Sequence, residues 1–108
     1  MTSKIENTWS RFTLMEQLGN IASEVGRAAK WRGKDEKRFL HSVEQALALI
    51  DLTQRDPRWA GGKLRELAIA KEAFADAVLG GDEYGSTLSD MERYFMQFAL
   101  AARAAAGT

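Results

Sequence analysis

Apolar residues in this chain recur at intervals of three and four, not two. In the first periodic stretch Leu14, Leu18, Ile21, Val25 and Ala28 follow at spacings of 4, 3, 4 and 3, which puts all five on one face of an α-helix. Thr13 and Glu16 precede the run three apart, the pattern of a capping box in which each side chain takes a free backbone amide of the first turn. Beside the large stripe runs a small one, Gly19, Ala22, Gly26 and Ala29. A glycine inside a helix costs about 1 kcal/mol relative to alanine, and close approach of a neighbouring helix backbone would offset that.

A second periodic stretch carries Phe39, Leu40, Val43, Ala46, Leu47 and Ile50 inward. It must stop near Asp56-Pro57, because the residue before proline is pushed out of the α region. A third opens after Gly61-Gly62, with Leu64, Leu67, Ala68, Phe74, Ala75 and Val78 on one face, and ends at Gly80-Gly81, where a left-handed residue is easy for glycine. The fourth opens on Thr87-Leu88-Ser89-Asp90, a capping box in its Asp form, with Met91, Phe95, Phe98 and Ala102 inward. No segment alternates with period two over a useful length. The predicted fold is therefore all-α without strands: four helices over about 13–31, 35–53, 63–79 and 88–105, joined by short connections that favour an up-down four-helix bundle. Residues 1–108 read as one domain, with Trp9 and Phe12 docking the N-terminal segment on the bundle.

Composition narrows the class. At 108 residues the chain has the commonest domain size. Its 15 basic and 15 acidic residues cancel, which argues against a dedicated nucleic-acid coat protein. Cysteine is absent, so there is no disulfide framework, thiol nucleophile or thiolate metal site. No apolar run approaches the roughly 20 residues of a membrane span, and MTSKIENTW lacks the apolar core of a secretory signal. A cytoplasmic protein with no membrane partner is expected.

Motifs that would carry catalysis fall short. GGDEYGST, residues 80–87, nearly spells the GGDEF signature of dinucleotide cyclases. It follows one helix and runs into the cap of the next, however, whereas a cyclase site needs a β-hairpin. Gly80 and Gly85 have phosphate-loop spacing, but Ser86 stands where lysine should be and no strand precedes it. His41 and Glu44 are too few ligands for a metal, and the pairs Glu66/Glu72 and Asp51/Asp56 lack an H-x-x-E partner. No catalytic residue, metal or cofactor is assigned; the chain reads as non-catalytic.

Three surfaces remain. Met96 and Leu100 project from the side of the fourth helix opposite its core stripe, flanked by Arg93 and Arg103. A second apolar stripe on a terminal helix suggests a face covered by self-association or by a partner helix, with Tyr84 and Tyr94 suited to its rim and the Trp-bearing end at Trp31 as a further contact surface. Lys71 falls within the apolar arc of the third helix; its stem can lie on the core while the ammonium reaches solvent. Alternatively it binds an anion in a polar pocket with Asn20, Glu24 and Tyr94. The run RAAKWRGKDEKR sets Arg27, Lys30, Arg32 and Lys34 around Trp31, either a solvated turn balanced by Asp82 and Glu83 or a small nucleic-acid patch.

The runs LMEQLGNIASEVGRAAKW, LALIDLTQRDPRW and GGDEYGST with YFMQFALAAR resemble a group of small bacterial all-helical proteins of unassigned activity. In size and helix order that group is similar to HEPN-type domains. The resemblance implies a helical bundle that dimerises, cleaves RNA, or pairs with a small nucleotidyltransferase in a toxin–antitoxin system. The HEPN ribonuclease motif is an Arg followed by His after four to six residues. Here Arg38 precedes His41 by two intervening residues and Arg32 by eight, so no nuclease residue is carried over. The expected function is protein–protein interaction, as a homodimer or with a partner. A nucleic-acid module and a small-molecule or anion pocket are the alternatives.

Overall fold

The structure, a computed structural model, describes Trp9 and residues 11–59, 61–80 and 87–107, with the side chains of 102–107 excepted. Helix α1 (Leu14–Trp31) starts at the expected capping box: the Glu16 amide donates to Thr13 Oγ1 at 3.1 Å and the Thr13 amide to Glu16 Oε1 at 2.9 Å. Gly33, at φ +76°, follows its last turn in the left-handed region. Helix α2 (Glu36–Gln54) is capped by Asp35, whose carboxylate accepts from the Arg38 amide, and stops short of Asp56-Pro57. Helix α3 (Gly62–Val78) ends at Gly80, φ +74°, where a side chain would strain the backbone. Helix α4 (Leu88–Gly107) opens on the reciprocal pair Thr87 and Asp90, both hydrogen bonds at 3.1 Å. There is no strand among the described residues, and no helix is long and apolar enough to cross a membrane.

The helices close into a ring. α1 packs most extensively on α4 and α2, and α3 completes the ring against α2 and α4 with lighter contact. Two long-range contacts fix the directions. Arg32, just past α1, donates to the last carbonyls of α3, Ala77 at 2.7 Å and Val78 at 3.0 Å. Towards the other end Trp59, ahead of α3, meets Phe98, just past the middle of α4, edge-on with ring centroids 5.5 Å apart. With only residues 32–35 between α1 and α2, each helix runs opposite to its neighbours, the up-down arrangement.

Leu18, Ile21, Ile50, Leu67, Phe74 and Phe95 fill the centre without solvent exposure, each burial worth roughly 1.5–3 kcal/mol. Three residues expected inward are not. Leu40 is 47% and Leu64 38% exposed, and Ala75 also lies outside. In α3 the buried face is Leu67, Ala70, Ala73, Phe74 and Ala77, rotated from the arc that the large residues suggested. The alanines carry no bulk, so this face seats Phe74 in the core without crowding. Ala102 falls among the side chains that are not described.

The paired glycines of α1 behave differently from the expectation. Gly26 does face α4, but a Cβ there would collide with the Glu92 carboxylate, a side chain and not the backbone; at Gly19 a Cβ would meet nothing within 4 Å.

Candidate functional site

The outer edge of the α1–α4 pair is the first surface. Gly26 and Glu92 mark where the two helices meet. Helical periodicity places Met96 and Leu100, one and two turns beyond Glu92, along the outer edge of α4, and Gly19, two turns before Gly26, along the matching edge of α1. Met96 is 45% and Leu100 56% exposed. The edge therefore carries two exposed apolar side chains on α4 and, on α1, an open position at Gly19, where a Cβ would meet nothing within 4 Å. Arg93 borders the apolar side chains and makes a loose ion pair to Asp90 at 3.8 Å, both side chains largely solvated, so little energy is bound up in it. The Arg103 side chain and the whole of Tyr84 lie outside the described residues, as do Gly81, Asp82 and Glu83. Trp31 is elsewhere, between α1 and α2.

The four residues proposed for a polar pocket do not bond to one another. Asn20 donates to Glu16 O on its own helix at 2.8 Å, and Glu24 pairs with Arg27. α1 and α3 lie across the ring from each other, which keeps Asn20 and Glu24 from Lys71. Lys71 is half-buried at the margin of the α3 core face, a consequence of that face's rotation. Tyr94 donates instead to Glu66 Oε1 at 2.8 Å. Burial and that acceptor together push its phenol up to about 12. A cavity of about 310 Å³ opens beside it, lined by Lys63, Glu66, Tyr94, Gln97, Phe98 and Ala101.

The basic run splits by role. Arg32 is spent on the C-terminus of α3, its guanidinium also 5.5 Å from the Phe39 ring centroid. Arg38 lies over the Trp31 ring at 4.6 Å and Lys30 at 5.1 Å. Arg38 pairs with Asp35 at 3.5 Å, and Arg27 with Glu24. Lys37 and His41 make no hydrogen bond or ion pair among the described residues. Arg27, Trp31, Lys37, Arg38, His41 and Ser42 line an open groove of about 460 Å³ between the end of α1 and the start of α2.

Trp9 docks the N-terminal segment as its sequence suggests, but the polar knot that holds it was not legible there. Trp9 is 6% exposed and donates through Nε1 to Thr53 Oγ1 at 3.0 Å, while Gln17 Nε2 donates to Trp9 O and to Asp56 Oδ2, both at 2.9 Å. Arg58 grips the Asp56 carboxylate through Nε and Nη2, and Nη2 also reaches Phe12 O at 2.6 Å. The Arg58 hydrogen bonds, helped by Gln17 and opposed by burial, hold Asp56 down to about 2. This knot staples the N-terminal segment to the base of the bundle, with Trp9 edge-on to Phe12 at 5.5 Å. It is structural: both ionic partners are occupied by each other. The sequence signal that could have found it is Asp56 and Arg58 flanking the only proline.

No three or more His, Asp or Glu side chains among the described residues are placed to hold a metal ion. Comparison with protein-family models, with curated proteins and with solved structures gave no match.

Proposed function

We propose that this bundle acts by protein–protein association, pairing with a second copy of itself across the outer edge of α1 and α4. The observations that carry the reading are the exposure of Met96 and Leu100 on α4 and the open space over Gly19 on α1. A two-fold interface must be self-complementary. A face that bears both projecting side chains and an open position can meet that condition, each copy's Met96 and Leu100 packing over the other's Gly19. Burying two large apolar side chains per copy supplies the driving force, while Arg93 at the edge remains solvated. The HEPN-like resemblance enters at the level of architecture only, as a bundle that pairs; a toxin–antitoxin-like partner would use the same edge. A cytoplasmic location belongs to the same proposal, supported by the lack of cysteine.

Multi-angle light scattering tests the reading. The wild-type chain should run as a dimer at tens of micromolar, and Met96→Glu with Leu100→Glu as a folded monomer. A wild-type monomer, or a dimer that survives both substitutions, contradicts it.

A further inference from the structure

The groove between the end of α1 and the start of α2 is built of unlike parts. Trp31 is its aromatic wall, with the Arg38 guanidinium laid over the ring at 4.6 Å. Arg27, Lys37 and His41 stand round the opening, and no carboxylate residue lines it. Two of the basic residues are already occupied: Arg27 by Glu24 and Arg38 by Asp35. Lys37 and His41 are not, so the groove keeps uncompensated donors at its mouth.

Ser42 sets this groove apart from an ordinary basic turn. It lines the groove and is only 3% exposed, yet its hydroxyl makes no hydrogen bond among the described residues. Two other helix hydroxyls do what such groups usually do and turn back on the preceding turn: Ser23 to Gly19 O at 3.1 Å and Thr53 to Leu49 O at 2.9 Å. The Ser42 oxygen is not sealed from solvent, unlike Gln17 Oε1 and Trp59 Nε1, the buried polar atoms without a partner among the described residues, so the groove is where a partner can reach it. Lys37 and His41, one turn apart on α2, and Ser42, next to His41, line one groove with Trp31, a donor set for an oxyanion with several acceptor oxygens.

We infer that the Trp31–Ser42 groove binds a phosphate group, with Ser42, Lys37 and His41 donating to its oxygens and Trp31 packing against the body that carries it. Two sources share that chemistry, a small nucleotide and a phosphate of a single-stranded nucleic acid. Arg32, which the sequence places among the same basic residues, takes no part, since α3 holds it.

Titration calorimetry at low salt with adenosine monophosphate in one arm and a single-stranded oligonucleotide in the other tests the site. At least one probe should bind saturably. Lys37→Ala with His41→Ala should weaken that binding at least about tenfold. Ser42→Ala should weaken it several-fold without shifting the unfolding midpoint. Saturation by the mononucleotide assigns a small ligand; binding of the oligonucleotide alone, weakening with added salt as phosphate contacts require, assigns a strand. Lys63→Ala, on the far side of the bundle, should change neither. No saturable binding of either probe, or equal binding by wild type and the double variant, overturns the inference. The site is independent of the α1–α4 edge, so the Met96→Glu, Leu100→Glu chain should bind the same probe as tightly as wild type.

Discussion

Asp56 shows how far one side chain's surroundings can outrun its sequence context. In the chain it is a turn residue before proline; in the fold it is a buried carboxylate held by Arg58 and Gln17. Its pKa falls from 3.8 to about 2, a difference worth roughly 2 kcal/mol. Because the folded value lies below the unfolded one, that stabilisation is complete above about pH 4 and is lost as the pH falls through 2. Asp56→Asn should therefore flatten the acid limb of stability measured by urea unfolding. The same variant should lower stability at neutral pH by roughly 2–3 kcal/mol, since it leaves the Arg58 charge without its partner. An acid limb as steep as wild type would show that other carboxylates set it. Gly19 makes the opposite case. Nothing stands within 4 Å of its missing Cβ, so Gly19→Ala should raise stability by about 1 kcal/mol in the same assay. It should also half-fill the open position and weaken self-association, a combination that a purely structural glycine would not give.

Individual helices were legible to within a residue or two because their signals are local. A capping box needs only two side chains three apart, and both boxes form as read, at Thr13 with Glu16 and at Thr87 with Asp90. Thr87→Ala should cost about 1 kcal/mol, seen as a lower midpoint in thermal unfolding; no change would mean that the first turn of α4 is held by packing alone. The face that a helix buries was less legible. In α3 Leu67 and Phe74 belong to both the expected and the buried arc, but the rest of the buried face is Ala70, Ala73 and Ala77 in place of Leu64 and Ala75. Wheel arguments weight a position by its hydrophobicity, whereas packing also weighs how close two helices can come. That rotation moved Lys71 from the centre of the apolar face to its margin and took the proposed polar pocket with it. Arg32 likewise looked like one cation of a basic run, and only the antiparallel ring brings it to the α3 carbonyls. Removing it with Arg32→Ala should cost roughly 1–2 kcal/mol, since charge-assisted hydrogen bonds to two carbonyls are lost.

The whole bundle is where self-association would be read. If the α1–α4 edge is an interface, folding and pairing are linked, and the unfolding temperature of the wild-type chain should rise with protein concentration. The Met96→Glu, Leu100→Glu chain should unfold at one temperature across the same range. A flat wild-type profile would sink the dimer independently of light scattering. The four helices from Leu14 to Gly107 and their limits, the lack of strands among the described residues and the exposure of Met96 and Leu100 were all present in the order of residues, because 3.6-residue periodicity, caps and glycine stops act over a few positions. Which side chains meet across the bundle was not: Gln17 with Asp56, Trp9 with Thr53, and Tyr94 with Glu66. Those pairings depend on the rotation and spacing of whole helices, which are set by the packing of every core residue together and by no single stretch of chain.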